Sequence, residues 1–149
     1  MSEHIATLTW ERGDAPFDYK SYSRNHRWDF GHGVSVTASA APQFLGDESQ
    51  IDPEQAFVAS LSSCHMLTFL AIASMKKLTV ERYVDRAVGH LAKNEAGKFV
   101  ITRVDLYPKI EFAPGQEPDA ATLEQLHHKS HADCFLANSV KCEIVTHLD

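Results

Sequence analysis

An α+β domain is predicted by three features of the chain. They are short stretches of alternating residues at its start, one strongly capped apolar helix in its middle, and a β-hairpin, helix and strand after that. Among the early stretches, Ile5 to Trp10 alternates, Phe17 to Ser23 is aromatic-rich and β-prone, and Gly33 to Ala38 alternates small or polar with apolar residues. Together they predict an N-terminal antiparallel sheet. Pro42 to Gln50, with Gly46 and Asp47, reads as a loop.

The helix start is written in Asp52-Pro53-Glu54-Gln55. Asp at the N-cap, Pro at the first helical position, Glu in the first turn and Gln three residues after the cap complete a capping box. This predicts a long central helix over about 53–76, and because His65 to Ala73 is apolar on nearly every face, that helix is expected to be buried among other elements. Two β-prone stretches follow at about 79–93 and 98–112, joined by a turn from Asn94 to Gly97. In the second, Val100, Thr102, Val104 and Leu106 share one face and Arg103, Asp105 and Tyr107 the other. Pro114-Gly115 breaks the chain, a second helix starts at Pro118 and runs to about 132, and a last strand spans Val140 to Leu148. No repeat, low-complexity tract or linker interrupts residues 1–149, so they read as one domain.

Composition limits the function. With 44% hydrophobic and 23% charged residues among 149, the chain is in the globular range and can bury roughly 68–70% of its unfolded surface, with no need for disulfide or metal staples. Lys and Arg total 14 against 20 Asp and Glu, a formal charge of -6 with no basic run, which disfavours a nucleic-acid partner. The first residues carry neither a basic nor a continuous apolar leader, and the stretch Met66 to Met75 is about half the ~20 residues of a membrane span. A cytoplasmic protein without a membrane partner is expected. The three cysteines, an odd count in such a chain, are expected to be reduced and free for chemistry.

Cys64 lies ten residues into the central helix. It reads either as a buried core cysteine, inert because burial raises its pKa, or as a reactive thiol brought out by a cation. Arg24 and Arg27 are the candidate cations, read otherwise as surface residues, and Glu54 is placed to orient a guanidinium bidentately or simply to favour the helix N-terminus. Glu54 and Cys64 are about 15 Å apart along a straight helix, so a long arginine must span the gap or the groups that meet must come from two subunits. Cys134 follows the second helix, in a junction more mobile than a helix interior, whereas Cys142 shares a strand face with Val140 and Ile144 and reads as core. His127, His131 and Cys134 have a weak metal or small-ligand spacing without a recognisable fourth ligand, and a solvated histidine-rich helix explains the same residues. His65 diverges from Cys64 by about 100° around the helix, poor geometry for a hydrolase's nucleophile and base.

The pattern over about residues 20–147 resembles the OsmC/Ohr family, the osmotically inducible and organic hydroperoxide resistance proteins. Asp52-Pro53-Glu54-Gln55 followed by a small-residue helix to Cys64 is similar to the family's segment with its peroxidatic cysteine, Cys134-Phe-Leu-Ala-Asn to the segment with its resolving cysteine, and Arg24 to its catalytic arginine. Phe135 stands where the family commonly has Pro, and the surroundings of Arg24 and Cys64 resemble an OsmC-like subgroup. The resemblance implies an OsmC-like fold, an intertwined homodimer with sites at the subunit interface, and a peroxiredoxin-like organic hydroperoxide reductase that uses neither metal nor flavin. It further implies that Cys64, supported by Arg24 and Glu54, becomes a sulfenic acid, that Cys134 closes a disulfide with it, and that an external dithiol of the lipoyl type reopens the bond. Phe57, Leu61 and Leu67, near Cys64, are expected to favour bulky organic peroxides by burying their tails.

Overall fold

The residues that announce the central helix also start it. In the computed structural model, which describes residues 1–149, the Asp52 Oδ1 accepts from the Gln55 N–H at 2.8 Å and the Asp52 N–H donates back to Gln55 Oε1 at 3.1 Å. The resulting helix α1 spans Pro53–Met75. The chain further forms β1 (Thr7–Thr9), β2 (His26–Asp29), β3 (Ser35–Ala38), β4 (Val80–Asp85), β5 (Val88–Lys93), β6 (Phe99–Leu106), β7 (Pro108–Phe112), α2 (Ala120–Asp133) and β8 (Glu143–Thr146). Two compact units result, Met1–Ala56 and Phe57–Asp149.

In the first unit β1, β2 and β3 form an antiparallel sheet in which Trp28 faces Leu8 on one neighbour and Val36 on the other. The expected strand at Phe17 to Ser23 is instead a series of turns, held by Asp18, which accepts from Ser21 Oγ at 2.8 Å and from the Lys20 N–H at 3.2 Å. Its aromatics are not spread along a pleat. Phe17 and Tyr22 cluster on Trp10, with ring centroids 5.2–6.0 Å apart.

In the second unit each predicted β stretch breaks in two. β4 pairs with β7, while β5 and β6 form the expected hairpin and β8 adds to β6 in parallel. The hairpin turn uses Asn94, whose Oδ1 accepts from the Lys98 N–H at 3.0 Å, and Gly97, whose φ of 75° suits a residue without Cβ. α2 starts later than expected, because Asp119 is its N-cap and accepts from the Thr122 N–H at 2.7 Å.

α1 buries a single stripe, Leu61, His65, Phe69, Ile72 and Ala73. Phe69, Ile72 and Ala73 pack with Leu126 of α2 and with Tyr83 and Ile110, whereas Leu61 packs with Val104 and Leu106 of β6. Gly89 of β5 passes so close to α1 that a Cβ there would lie 2.4 Å from Val58 Cγ2. The helix is less enclosed than its composition suggests, with Leu67 59% and Met75 74% exposed. By length and composition alone it could cross a membrane, its most apolar 18 residues averaging a hydropathy of 1.7. The stretch Met66 to Met75 understates this by omitting the small residues of the first turns.

Candidate active site

Two elements of the second unit bring Cys64 and Cys134 together. Cys64 is half-buried on α1, and Cys134 is the residue at the C-terminal cap of α2. α2 ends there because the following turn folds back over it: the Ala137 N–H donates to Cys134 Sγ at 3.3 Å, and Asn138 donates from its backbone and its side chain to the Cys134 carbonyl, each at 3.1 Å. The Cys134 side chain is thereby buried, at 1% exposure, with Cys64 as its neighbouring thiol. Burial, reinforced by the neighbouring Cys64, pushes the Cys134 thiol above the usual thiol range. The expected mobile junction cysteine is in fact the more buried of the pair. All three cysteines are free thiols, and Cys142 packs against the Leu61, Val104 and Leu106 cluster as expected.

Beside the thiols lies a feature that spacing did not reveal. His65 and His127 are both buried, with His65 Nε2 and His127 Nδ1 3.0 Å apart and the ring planes 5° from parallel. The Phe69 ring is centred 4.6 Å from that of His127. Burial holds both imidazoles down to about 4, helped for His65 by His131 and opposed by Asp85. His127 is therefore not part of a solvated histidine face. Its Nδ1 is directed at His65, and no three His, Cys, Asp or Glu side chains converge where a metal could sit. The metal reading of His127, His131 and Cys134 thus lacks its geometry. Asp85, at the end of β4, accepts from Ser62 Oγ and from the Tyr107 N–H, which ties β4 to α1 and to the β6–β7 junction.

The remaining candidates are placed as follows. Arg24, in the unit Met1–Ala56, donates to the Tyr22 carbonyl at 2.7 Å and to that of Tyr19, with its guanidinium carbon 3.7 Å from the Tyr22 ring centroid. Its fork is thus oriented by carbonyls and an aromatic face rather than by a carboxylate. Arg27 pairs with Asp29 at 3.8 Å on the surface. Glu54 is half-buried in the first turn of α1 and takes part in none of the chain's ion pairs. Leu61 and Phe57 spend their apolar surface on the core under β6, and Leu67 is exposed. A neighbouring pair of free thiols, one of them sheltered, is suited to reversible two-electron oxidation to a disulfide.

A fold of three small sheets and two helices bearing such a thiol pair defines a class of thiol-bearing α+β proteins, and comparison narrows it. The family model for OsmC-like proteins matches residues 46–149, and the chain belongs to that family. The OsmC-like protein of unknown function from Vibrio cholerae superposes with a TM-score of 0.94 at 47% identity, each chain covered in full. The organic hydroperoxide resistance protein OsmC of Legionella pneumophila gives 0.70 at 17% identity, over 98% of this chain and 94% of that one. The organic hydroperoxide resistance protein OhrB of Bacillus subtilis gives 0.69 at 17%, over 97% and 98%. No curated protein matches the chain.

Proposed function

We propose that the protein is a thiol peroxidase that reduces organic hydroperoxides with Cys64 as the attacking thiol and Cys134 as the resolving one. The observation that carries this reading is the proximity of the two free thiols, close enough that Cys64 acts on the Cys134 thiol. In the first step the Cys64 thiolate attacks the terminal peroxide oxygen, the O–O bond breaks, and the alkoxide takes a proton and leaves as an alcohol. Sulfur is oxidised to a sulfenic acid. In the second, the Cys134 sulfur attacks that of Cys64, the S–O bond breaks and water leaves. An external dithiol, lipoyl-type by the family resemblance, then returns both thiols and is itself oxidised. Arg24 would stabilise the Cys64 thiolate in a homodimer where these groups meet at the subunit interface, and Glu54 would there take over the guanidinium that the Tyr19 and Tyr22 carbonyls hold within one chain.

The test is peroxide consumption with a dithiol reductant. Cys64→Ser should abolish turnover, and Cys134→Ser should leave a single-turnover sulfenic acid that dimedone captures. Arg24→Ala should slow peroxide consumption by about tenfold or more, because the attacking sulfur loses its cation. Full turnover in Cys64→Ser would remove the reading. Equal second-order rates with cumene hydroperoxide and hydrogen peroxide would remove only the preference for organic substrates.

A further inference from the structure

His65 and His127 have no part in the chemistry just proposed, yet they join the two elements that carry its cysteines. His65 directly follows Cys64 on α1, and His127 lies two turns before Cys134 on α2. Between the helices, Phe69, Ile72 and Ala73 meet Leu123 and Leu126 through apolar contact. Such contact holds two helices together but is non-directional, so it tolerates sliding and rotation far better than a hydrogen bond does. The one side-chain hydrogen bond linking α1 to α2 is that between His65 Nε2 and His127 Nδ1, at 3.0 Å. It is nearly coplanar, with 5° between the rings, and both residues are buried. Any shift of α2 by part of a turn would leave two buried ring nitrogens unpaired, which the apolar surroundings punish.

We propose that the His65–His127 hydrogen bond is the pin that fixes the register of α2 on α1 and thereby positions Cys134 for disulfide closure with Cys64. The inference rests on the thiol-peroxidase reading for its physiological meaning, but the pin itself concerns only the joining of the two sulfurs. In the closing step Cys134 gives up its thiol proton, its sulfur bonds to the Cys64 sulfenic sulfur, the S–O bond breaks, and hydroxide leaves with that proton as water. His65 and His127 are positioning residues for this step. Attack of Cys64 on peroxide does not depend on the register of α2.

The test follows the two steps separately in the full-length reduced protein, sulfenic acid by dimedone capture and closure by loss of free thiols. In His65→Leu, His127→Leu and His65→Asn, whose side chain is too short to place its amide where Nε2 was, sulfenic acid should form at the wild-type rate. Closure should slow by about ten- to a hundredfold, the scale expected of a misplacement near 1 Å, and dimedone adduct should accumulate. The double variant His65→Gln with His127→Asn, which carries amides at the positions of the bonding nitrogens, should regain most of the closure rate. His65→Asn keeps the comparison open if a leucine variant does not fold. Wild-type closure in the bond-breaking variants, equal slowing of both steps, or no rescue by the amide pair would overturn the pin. Closure driven by diamide instead of peroxide should rank the variants identically. A wild type that closes with diamide but never consumes hydroperoxide would overturn the peroxidase reading and leave the pin standing. Failure to close with either oxidant would overturn both.

Discussion

Asp105 shows how far a single residue can depart from its sequence pattern. Strand alternation correctly puts it on the face of β6 opposite Val104 and Leu106, yet it is 1% exposed. The cover is polar: His147 donates to its Oδ1 at 2.8 Å, and His90 and Arg103 donate to its Oδ2 at 2.7 and 3.0 Å. The His147 bond foremost, then His90 and Arg103, outweigh burial and hold the carboxyl down to about 2. A depressed carboxylate stabilises the fold above its unfolded pKa near 3.9, and that stability is lost as pH falls through 2. The His65–His127 pair acts in a higher window. With imidazoles held at about 4 folded and near 6.5 unfolded, the unfolded chain binds more protons between those values, so stability falls as pH drops from about 6.5 toward 4. The urea midpoint should therefore decline between pH 7 and 5, on the order of 2 kcal/mol per imidazole. His65→Gln with His127→Asn should flatten that decline. A wild-type midpoint independent of pH over this range would show that both imidazoles titrate normally. Neither cluster was legible in the sequence, because His65 and His127 are 62 residues apart and His147 is 42 from Asp105. Cys64 and Cys134 stood out only as reactive atoms in suggestive settings.

At the scale of elements, what is local was legible and what is tertiary was not. The start of α1 is a self-contained device of four residues, and the turn before β6 is another, so both could be placed from sequence. The division of each long β stretch could not. β4 leaves β5 to pair with β7, and β6 gives way to β7 at Tyr107-Pro108, because two separate sheets are needed to cover the two clusters along α1. The helix and β5 meet at Gly89, where closeness substitutes for a side chain. Gly89→Ala should destabilise the protein by about 1–3 kcal/mol through overpacking against Val58. Val58→Ala in the same background should recover part of that loss, so a non-additive double-mutant cycle in urea is the measurement. Strict additivity would mean that β5 moves away from α1 at little cost.

For the whole molecule the question is what covers its apolar surface. Leu67 and Met75 on α1, and Ile5, Leu8, Phe17 and Tyr19 in the first unit, are all exposed in a single chain. Isolated apolar side chains on a surface are ordinary, but this many large ones, two of them on α1, suit a chain that associates. The expected partner is a second copy of the chain. That would also answer the difficulty the helix poses, since Glu54 and Cys64 sit about 15 Å apart along α1 and a guanidinium that serves both is more easily brought from outside. Sedimentation should give twice the 16.6 kDa of the chain, and Leu67→Glu should shift it toward monomer by burying a carboxylate without a partner. If the interface completes the site, peroxide turnover in Leu67→Glu should fall in step with the dimer fraction and recover at high protein concentration. A monomeric Leu67→Glu protein with undiminished turnover would instead assign the whole thiol chemistry to one chain, and Arg24 would then have to act within it.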